Sequence, residues 1–432
     1  MNNRLGVLPP LPWLYLLSAL TSLFLSFWIN SHEAVINPDA ICYLLSAQAI
    51  GEGGIGDAMH LCGQAQWPFY SALIYGLVQL SQLSYTTVAY LLDGVFSVIS
   101  VLTFILIVKA MGGSRRVLWL AAAVILLAHE FNNVREYIIR DHGFWAFYLI
   151  SLLCLLHYFS KPKLVTAFAF SGSLLLATLF RIEGAIFLLV LPWLAWCHFS
   201  LPLRQRLRHF VLLSLPLIVA GVAILVWLAF HPQQTLAHLG RVQELLTQFQ
   251  NGISLMGERF QASKNGLATA VLPLDSIHQA GLVLIIMLIV WYVIMVMGNV
   301  SWIYAGLVLY AWRQHCAKLS PSTKKVLLAY LAINILVTFG FFLEHLFLSK
   351  RYLIALSLIV MLWVPFALDE LCQRWTHWRQ RMVLTGVMLW IGLSALGGIV
   401  DFGYSKAYIH TARPREKSLL QCGTGWPTIN CR

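Results

Sequence analysis

Between residues 9 and 400 the chain alternates long apolar runs with short polar interruptions. Runs of about 18 apolar residues or more recur along it, each long enough to cross a hydrocarbon core of about 30 Å. They predict membrane spans at roughly 11–29, 87–110, 115–131, 143–159, 164–180, 184–200, 210–230, 281–311, 326–346, 352–371 and 382–400. The expected fold class is an all-α polytopic membrane protein with about 11 transmembrane helices. The stretch 279–312 is too long for one span and short for two, and is expected to hold one crossing plus an interfacial piece. The first run, "LPWLYLLSALTSLFLSFWI", exceeds the usual 7–15-residue core of a signal peptide and is followed by no A-x-A-like cleavage site, so it is expected to be an uncleaved span.

Basic residues collect in the short segments 109–116, 161–163, 204–208, 313–325 and 374–381. Such loops are held on the cytoplasmic side, which predicts a cytoplasmic N-terminus and a C-terminus outside. Three outside segments then stand out: 30–86, with surface helices near 39–50 and 68–83; the short connection 132–142; and 231–280, whose middle "LGRVQELLTQFQNGISLMGERF" is amphipathic. Composition sharpens this picture: 59% of residues are hydrophobic and only 11% are charged, against roughly 25% charged in soluble domains. The formal charge of +12 then reflects the basic inner loops rather than a nucleic-acid partner. No Walker loop, dinucleotide fingerprint or H-E-x-x-H motif is present, and there are no internal repeats.

In so apolar a chain the polar clusters stand out. "VREYIIRDHGFW" (134–145) holds Arg135, Glu136, Arg140, Asp141 and His142, and three further stretches join it: "NPDAICYLLSAQAI" with Asp39, "LFRIEGAIF" with Arg181 and Glu183, and the run Lys350-Arg351-Tyr352. Each has an ordinary explanation. Asp39 fits a helix N-cap, Asp141 a salt-bridged loop carboxylate, Arg181–Glu183 a pair snorkelling to water, and Lys350–Tyr352 an interfacial anchor. Their common placement on one face of an apolar bundle is what those separate explanations leave out.

In order and placement these motifs resemble the polyprenyl-phosphate-sugar-dependent glycosyltransferases of the GT-C fold, the group that includes bacterial relatives of protein mannosyltransferases and of aminoarabinose transferase. The matching features are Asp39 with Tyr43 and Gly51 after the first span, "QWPFYSALIYGLVQLS", Asp141 before the fourth span, the Arg-x-Glu-Gly turn at Arg181 and Glu183, and Arg351-Tyr352 at a later span start. The likeness runs from about residue 10 to about 410, so residues 1–411 would form one GT-C-like domain, while the tail 412–432 looks unlike the family. The resemblance implies transfer of a sugar from a polyprenyl-phosphate donor to an envelope glycan, lipid or protein acceptor, outside a bacterial inner membrane and with inversion. Asp39 would be the general base, with Asp141 sharing that role or orienting the acceptor. Arg140, Arg181 and Arg351 would clamp the phosphate, with Lys350, His60 and His142 as further contacts and Tyr43, Glu183 and Tyr352 lining the site.

No obligatory cofactor or metal is expected, because Asp39, Asp141 and a His form no recognisable ligand spacing, although a divalent cation could replace some of the cations. Cys42, Cys62, Cys422 and Cys431 fall outside, which allows Cys42–Cys62 and Cys422–Cys431 disulfides in an oxidising compartment; coincidence explains the even count at least as well. The competing functions are a transporter or flippase, against which stands the lack of an inverted repeat, and a polysaccharide polymerase or ligase acting on lipid diphosphates.

Overall fold

The computed structural model describes residues 9–32, 36–197, 202–230, 241–374 and 377–400. Residues 231–240 and the tail with Cys422 and Cys431 lie outside the described residues. Every regular element among the described residues is helical. The first half runs α1 Leu11–His32, α2 Pro38–Gly53, α3 Ile55–Ala58, α4 Phe69–Ser81, α5 Tyr85–Ala110, α6 Arg115–Leu126, α7 His129–Asn133, α8 Asp141–Ser160 and α9 Leu164–Phe180. The second half runs α10 Gly184–Val190, α11 Leu203–Phe230, α12 Arg241–Ala270, α13 Ala280–Val300, α14 Trp302–Arg313, α15 Pro321–His345, α16 Ile354–Met361, α17 Val364–Arg374 and α18 Trp378–Val400.

Among the described residues six helices are long and apolar enough to cross a membrane, and the number rises to eight if two bent pairs each count as one span. The pairs are α6 with the segment His129–Glu136, bent by 52°, and Lys350–Met361 with α17, bent by 42°. This all-α architecture agrees with the pattern of apolar runs, but the described residues do not confirm eleven spans. The expected span 164–180 is the 17-residue α9, about 26 Å at 1.5 Å per residue and short of a full crossing. The next, 184–200, becomes a short apolar helix over Gly184–Cys197.

Local chemistry explains several boundaries. The hydroxyl oxygens of Ser84, Ser114 and Ser320 accept from the backbone N–H groups of Thr87, Val117 and Thr323, capping α5, α6 and α15. The ambiguous run 279–312 is divided at Ser301, whose φ of 78° breaks the helix between α13 and α14. One helix of spanning length and one of 12 residues result. The segment 36–86, expected to lie outside, forms α2 and α4 close to where the sequence places surface helices.

The centre is α8, which packs against α5, α9 and α15 and buries Trp145, Tyr148, Leu152 and Leu155. Outward faces stay apolar: Phe24 and Phe27 on α1, Leu225 on α11, Trp291 on α13 and Leu336 on α15 are exposed. In water such faces would be a liability; against hydrocarbon they are the expected surface.

Candidate functional site

α8 and α9 are joined by the short link 161–163 and run antiparallel, so the start of α8 and the end of α9 share one end of the bundle. Asp141 opens α8 and Arg181 closes α9, and the two side chains form an ion pair. Arg181 also grips Glu183: its Nε donates to Oε2 at 3.2 Å and its Nη2 to Oε1. Arg351, in the 3-10 turn Lys350–Leu353, reaches the same place from the second half of the chain and pairs with Asp39 on α2. Tyr352 lies beneath both arginines, its ring centroid 4.8 Å from the Arg181 guanidinium and 5.1 Å from that of Arg351. Tyr43 is an electrostatic neighbour of Arg140, Asp141, Asp39 and Arg351. Three guanidinium groups and three carboxylates therefore meet at one point, drawn from segments up to 312 residues apart.

These charges are not equally satisfied. Arg181 holds two carboxylates and Arg351 holds one. Arg140, only 7% exposed, forms no ion pair among the described residues, and its Nη1 is buried without a hydrogen-bond partner. Burial opposes ionisation of Glu183, but the Arg181 guanidinium outweighs it and brings the carboxyl down to about 2. Burial likewise disfavours charge on Arg181, and Asp141 with Glu183 reverses that, leaving it firmly cationic. Burial raises the Tyr43 hydroxyl to about 12, so it stays a neutral donor.

Compared with known proteins, the chain matches no family model and no curated protein sequence. The site is therefore read from its own geometry.

That geometry corrects one expectation. Asp39 is not the N-cap of α2: Asn37 occupies that position, Pro38 follows at the first helical residue, and Asp39 turns its carboxylate to Arg351 and to the Gln64 amide at 2.9 Å. Pro38 fits the first turn because it has no N–H to satisfy. Asn37 is used elsewhere, its Oδ1 accepting from Ile138 N–H at 3.0 Å and its Nδ2 donating to Ile138 O at 3.4 Å. Asp93 on α5 accepts from Ile139 N–H at 3.3 Å and from the Tyr70 hydroxyl at 2.9 Å. Asn37 and Asp93 thus pin the two residues immediately before Arg140 and Asp141. Neither this role nor that of Gln64 has a signature in the sequence, because each is a single polar residue whose partner lies far along the chain.

The polar stretch 134–145 divides into two parts. Arg135 is buried and binds α1, through the Ser26 hydroxyl at 2.7 Å and the Ser22 hydroxyl and carbonyl at 3.2 and 3.1 Å. His142 is also buried, with Nε2 3.1 Å from Val134 O, which requires the proton on that nitrogen. These two residues build the turn that presents Arg140 and Asp141. Lys350 pairs with buried Glu130 at 2.6 Å, beside the Asp39–Arg351 pair rather than in it. His60 is exposed and has no side-chain contact with the cluster. Cys42 and Cys62 form a disulfide with a Cα–Cα distance of 6.1 Å, tying α2 to the segment that carries Gln64. Among the described residues no group of three or more His, Cys, Asp or Glu side chains is arranged to hold a metal.

Proposed function

We propose that this protein transfers a sugar from a polyprenyl-phosphate donor to an acceptor hydroxyl at the outer face of a bacterial inner membrane. The observation that carries the reading is Arg140, a buried guanidinium whose Nη1 has no hydrogen-bond partner and which forms no ion pair among the described residues, in a cluster of arginines and carboxylates. A buried unpaired cation is costly unless a ligand supplies the anion, and the planar fork of arginine suits phosphate oxygens. The carboxylates beside it supply what an acceptor needs. As the acceptor oxygen attacks the anomeric carbon, its proton passes to Asp39, the bond from that carbon to the phosphate oxygen breaks, and the lipid phosphate leaves with the electron pair. Attack opposite the leaving phosphate inverts the anomeric centre. Arg140 and Arg351 stabilise the growing charge on the phosphate, and Asp141 orients the acceptor while held by Arg181.

A place for the isoprenoid tail supports the same reading. A cavity of roughly 690 Å³ lies between α12, α13 and α15, walled by Phe260, Leu267, Leu284, Trp291 and Phe342 with Arg259 at its side. Phe342 belongs to the apolar cluster against which Tyr352 packs, which links the cavity wall to the turn that carries Arg351. The Cys42–Cys62 disulfide favours an oxidising compartment for the first loop, hence a site outside and a cytoplasmic N-terminus. Membrane lipids surround the chain, the acceptor is an envelope glycan, lipid or protein, and neither nucleic acid nor an obligatory metal takes part.

The test is sugar transfer from a panel of radiolabelled polyprenyl-phosphate sugars in membranes carrying wild type, Asp39→Asn or Asp141→Asn. Wild type is expected to release polyprenyl phosphate, with Asp39→Asn slower by about 10²–10⁴-fold, the usual effect of losing a general base. Equal release by all three, or none by wild type from any donor, would overturn the reading.

A further inference from the structure

Asp39 is engaged before any substrate arrives. One carboxylate oxygen is held by Arg351, and the other accepts from Gln64 at 2.9 Å. Arg351 is in turn well placed to leave. Its Nη2 lies 3.3 Å from the Tyr352 hydroxyl, and its guanidinium rests over the Tyr352 ring, so it keeps support away from Asp39. The backbone beneath it is fixed: Asn299 donates to the Lys350 carbonyl at 2.8 Å, and the Lys350 side chain is tied to Glu130. A swing of Arg351 is thus a side-chain event on a held turn.

The three arginines differ in how readily an incoming phosphate can recruit them. Within ion-pair distance among the described residues, Arg140 holds no carboxylate, Arg351 holds one and Arg181 two, while Asp141 also acts on Arg140 and Arg351 at longer range. For Arg351 the exchange replaces one anionic partner with another, while Arg181 would have to break two pairs. We propose that the donor's lipid phosphate unlatches the base: its oxygens bind Arg140, draw Arg351 off Asp39, and so free the carboxylate for the acceptor only once the donor is seated. This rests on the transfer reading above and adds to it a compulsory order, donor before acceptor. In the step itself the acceptor proton goes to the freed Asp39 carboxylate and the bonding electrons of the broken bond go to the lipid phosphate. The phosphate gains charge as that bond breaks, so its hold on Arg351 tightens in the transition state, when a freed Asp39 is most needed.

The experiment is carbodiimide labelling of Asp39 in the full-length purified chain, read by mass spectrometry, with polyprenyl phosphate titrated in without sugar or acceptor. Binding of the lipid is followed in parallel by its retention on the purified protein. Labelling of Asp39 in wild type is expected to rise several-fold as the lipid saturates. In Arg351→Gln it is expected to be high at the outset and unresponsive to lipid. Lipid that binds while Asp39 labelling stays flat or falls would sink the latch and leave the transfer reading standing. Failure of the lipid to bind at all would sink both. The wild-type titration decides the matter even if the variant does not fold.

Discussion

Arg140 and Glu183 make opposite demands on their surroundings. Arg140 has no ion pair among the described residues and an unbonded Nη1, and Asp141 and Glu183 act on it only at longer range, so under the proposed reading its removal takes away a phosphate ligand at little cost to the packing. Arg140→Gln should therefore unfold in detergent close to the wild-type temperature. Its binding of polyprenyl phosphate should weaken about 10- to 100-fold, the equivalent of roughly 1.5–3 kcal/mol for a hydrogen bond to a charged group. A variant that loses stability and keeps lipid binding would assign Arg140 a structural role instead. Glu183 is the reverse case, a carboxyl that burial opposes and Arg181 holds down to about 2 from an ordinary 4.5. Because its folded value is depressed, the pair's contribution is complete above pH 4.5 and is lost as pH falls toward 2. The stability gap between wild type and Glu183→Gln should be present at pH 5 to 6 and close on acidification. With 30% of its side chain exposed, Glu183 is partly screened, and the gap should narrow in high salt.

Among the elements, the junction of α8 and α9 decides the geometry of the site. Gly143, in the first turn of α8, leaves no room for a Cβ, which would overlap the Phe180 ring at the end of α9. Phe180 also meets Phe69, Phe96 and Phe147, forming an aromatic plug under the charged cluster. Gly143→Ala should destabilise by about 1–3 kcal/mol, as overpacking a dense core does, and should shift Arg181 relative to Asp141. The connection before α8 depends on Asn37, which satisfies both backbone groups of buried Ile138. Asn37→Ala should cost about 1–3 kcal/mol through the unpaired N–H and carbonyl, and should impair transfer more than an Asn substitution of exposed His60. Thermal unfolding and transfer rates of the two variants check both statements. The apolar periodicity of these helices was legible in the sequence. Their lengths as spans were less so, because composition marks a run as greasy without saying where a Ser301 or a bent α6–α7 pair will interrupt it.

For the molecule as a whole, the disulfide and the free cysteines offer a test of orientation. Cys42 and Cys62 lie at the same end as the charged cluster, while Cys197 and Cys372 are exposed and free. In intact cells a membrane-impermeant maleimide should label Cys42 and Cys62 only after reduction, and Cys197 and Cys372 only after permeabilisation. Labelling of Cys372 in unreduced intact cells would invert the proposed topology. Reduction should also lower transfer, since the disulfide tethers the segment whose Gln64 holds Asp39.

The sequence by itself determined that the chain is an apolar helical bundle, that its charges are few, and which segments carry them, because hydropathy and charge are properties of local composition. It also marked Asp39, Asp141, Arg181 and Arg351, since scarce charges at the ends of apolar runs are visible in one dimension. Only the tertiary structure decided which charges neutralise one another. Arg351 reaching Asp39, Glu130 taking Lys350, and Asn37 and Asp93 holding Ile138 and Ile139 are pairings across the chain. Arg140 and Arg135 stand five residues apart and look alike in sequence, yet one is saturated by the serines of α1 and the other has an open nitrogen. That difference lies in which atoms the packed helices bring within hydrogen-bonding reach, and local composition does not encode it.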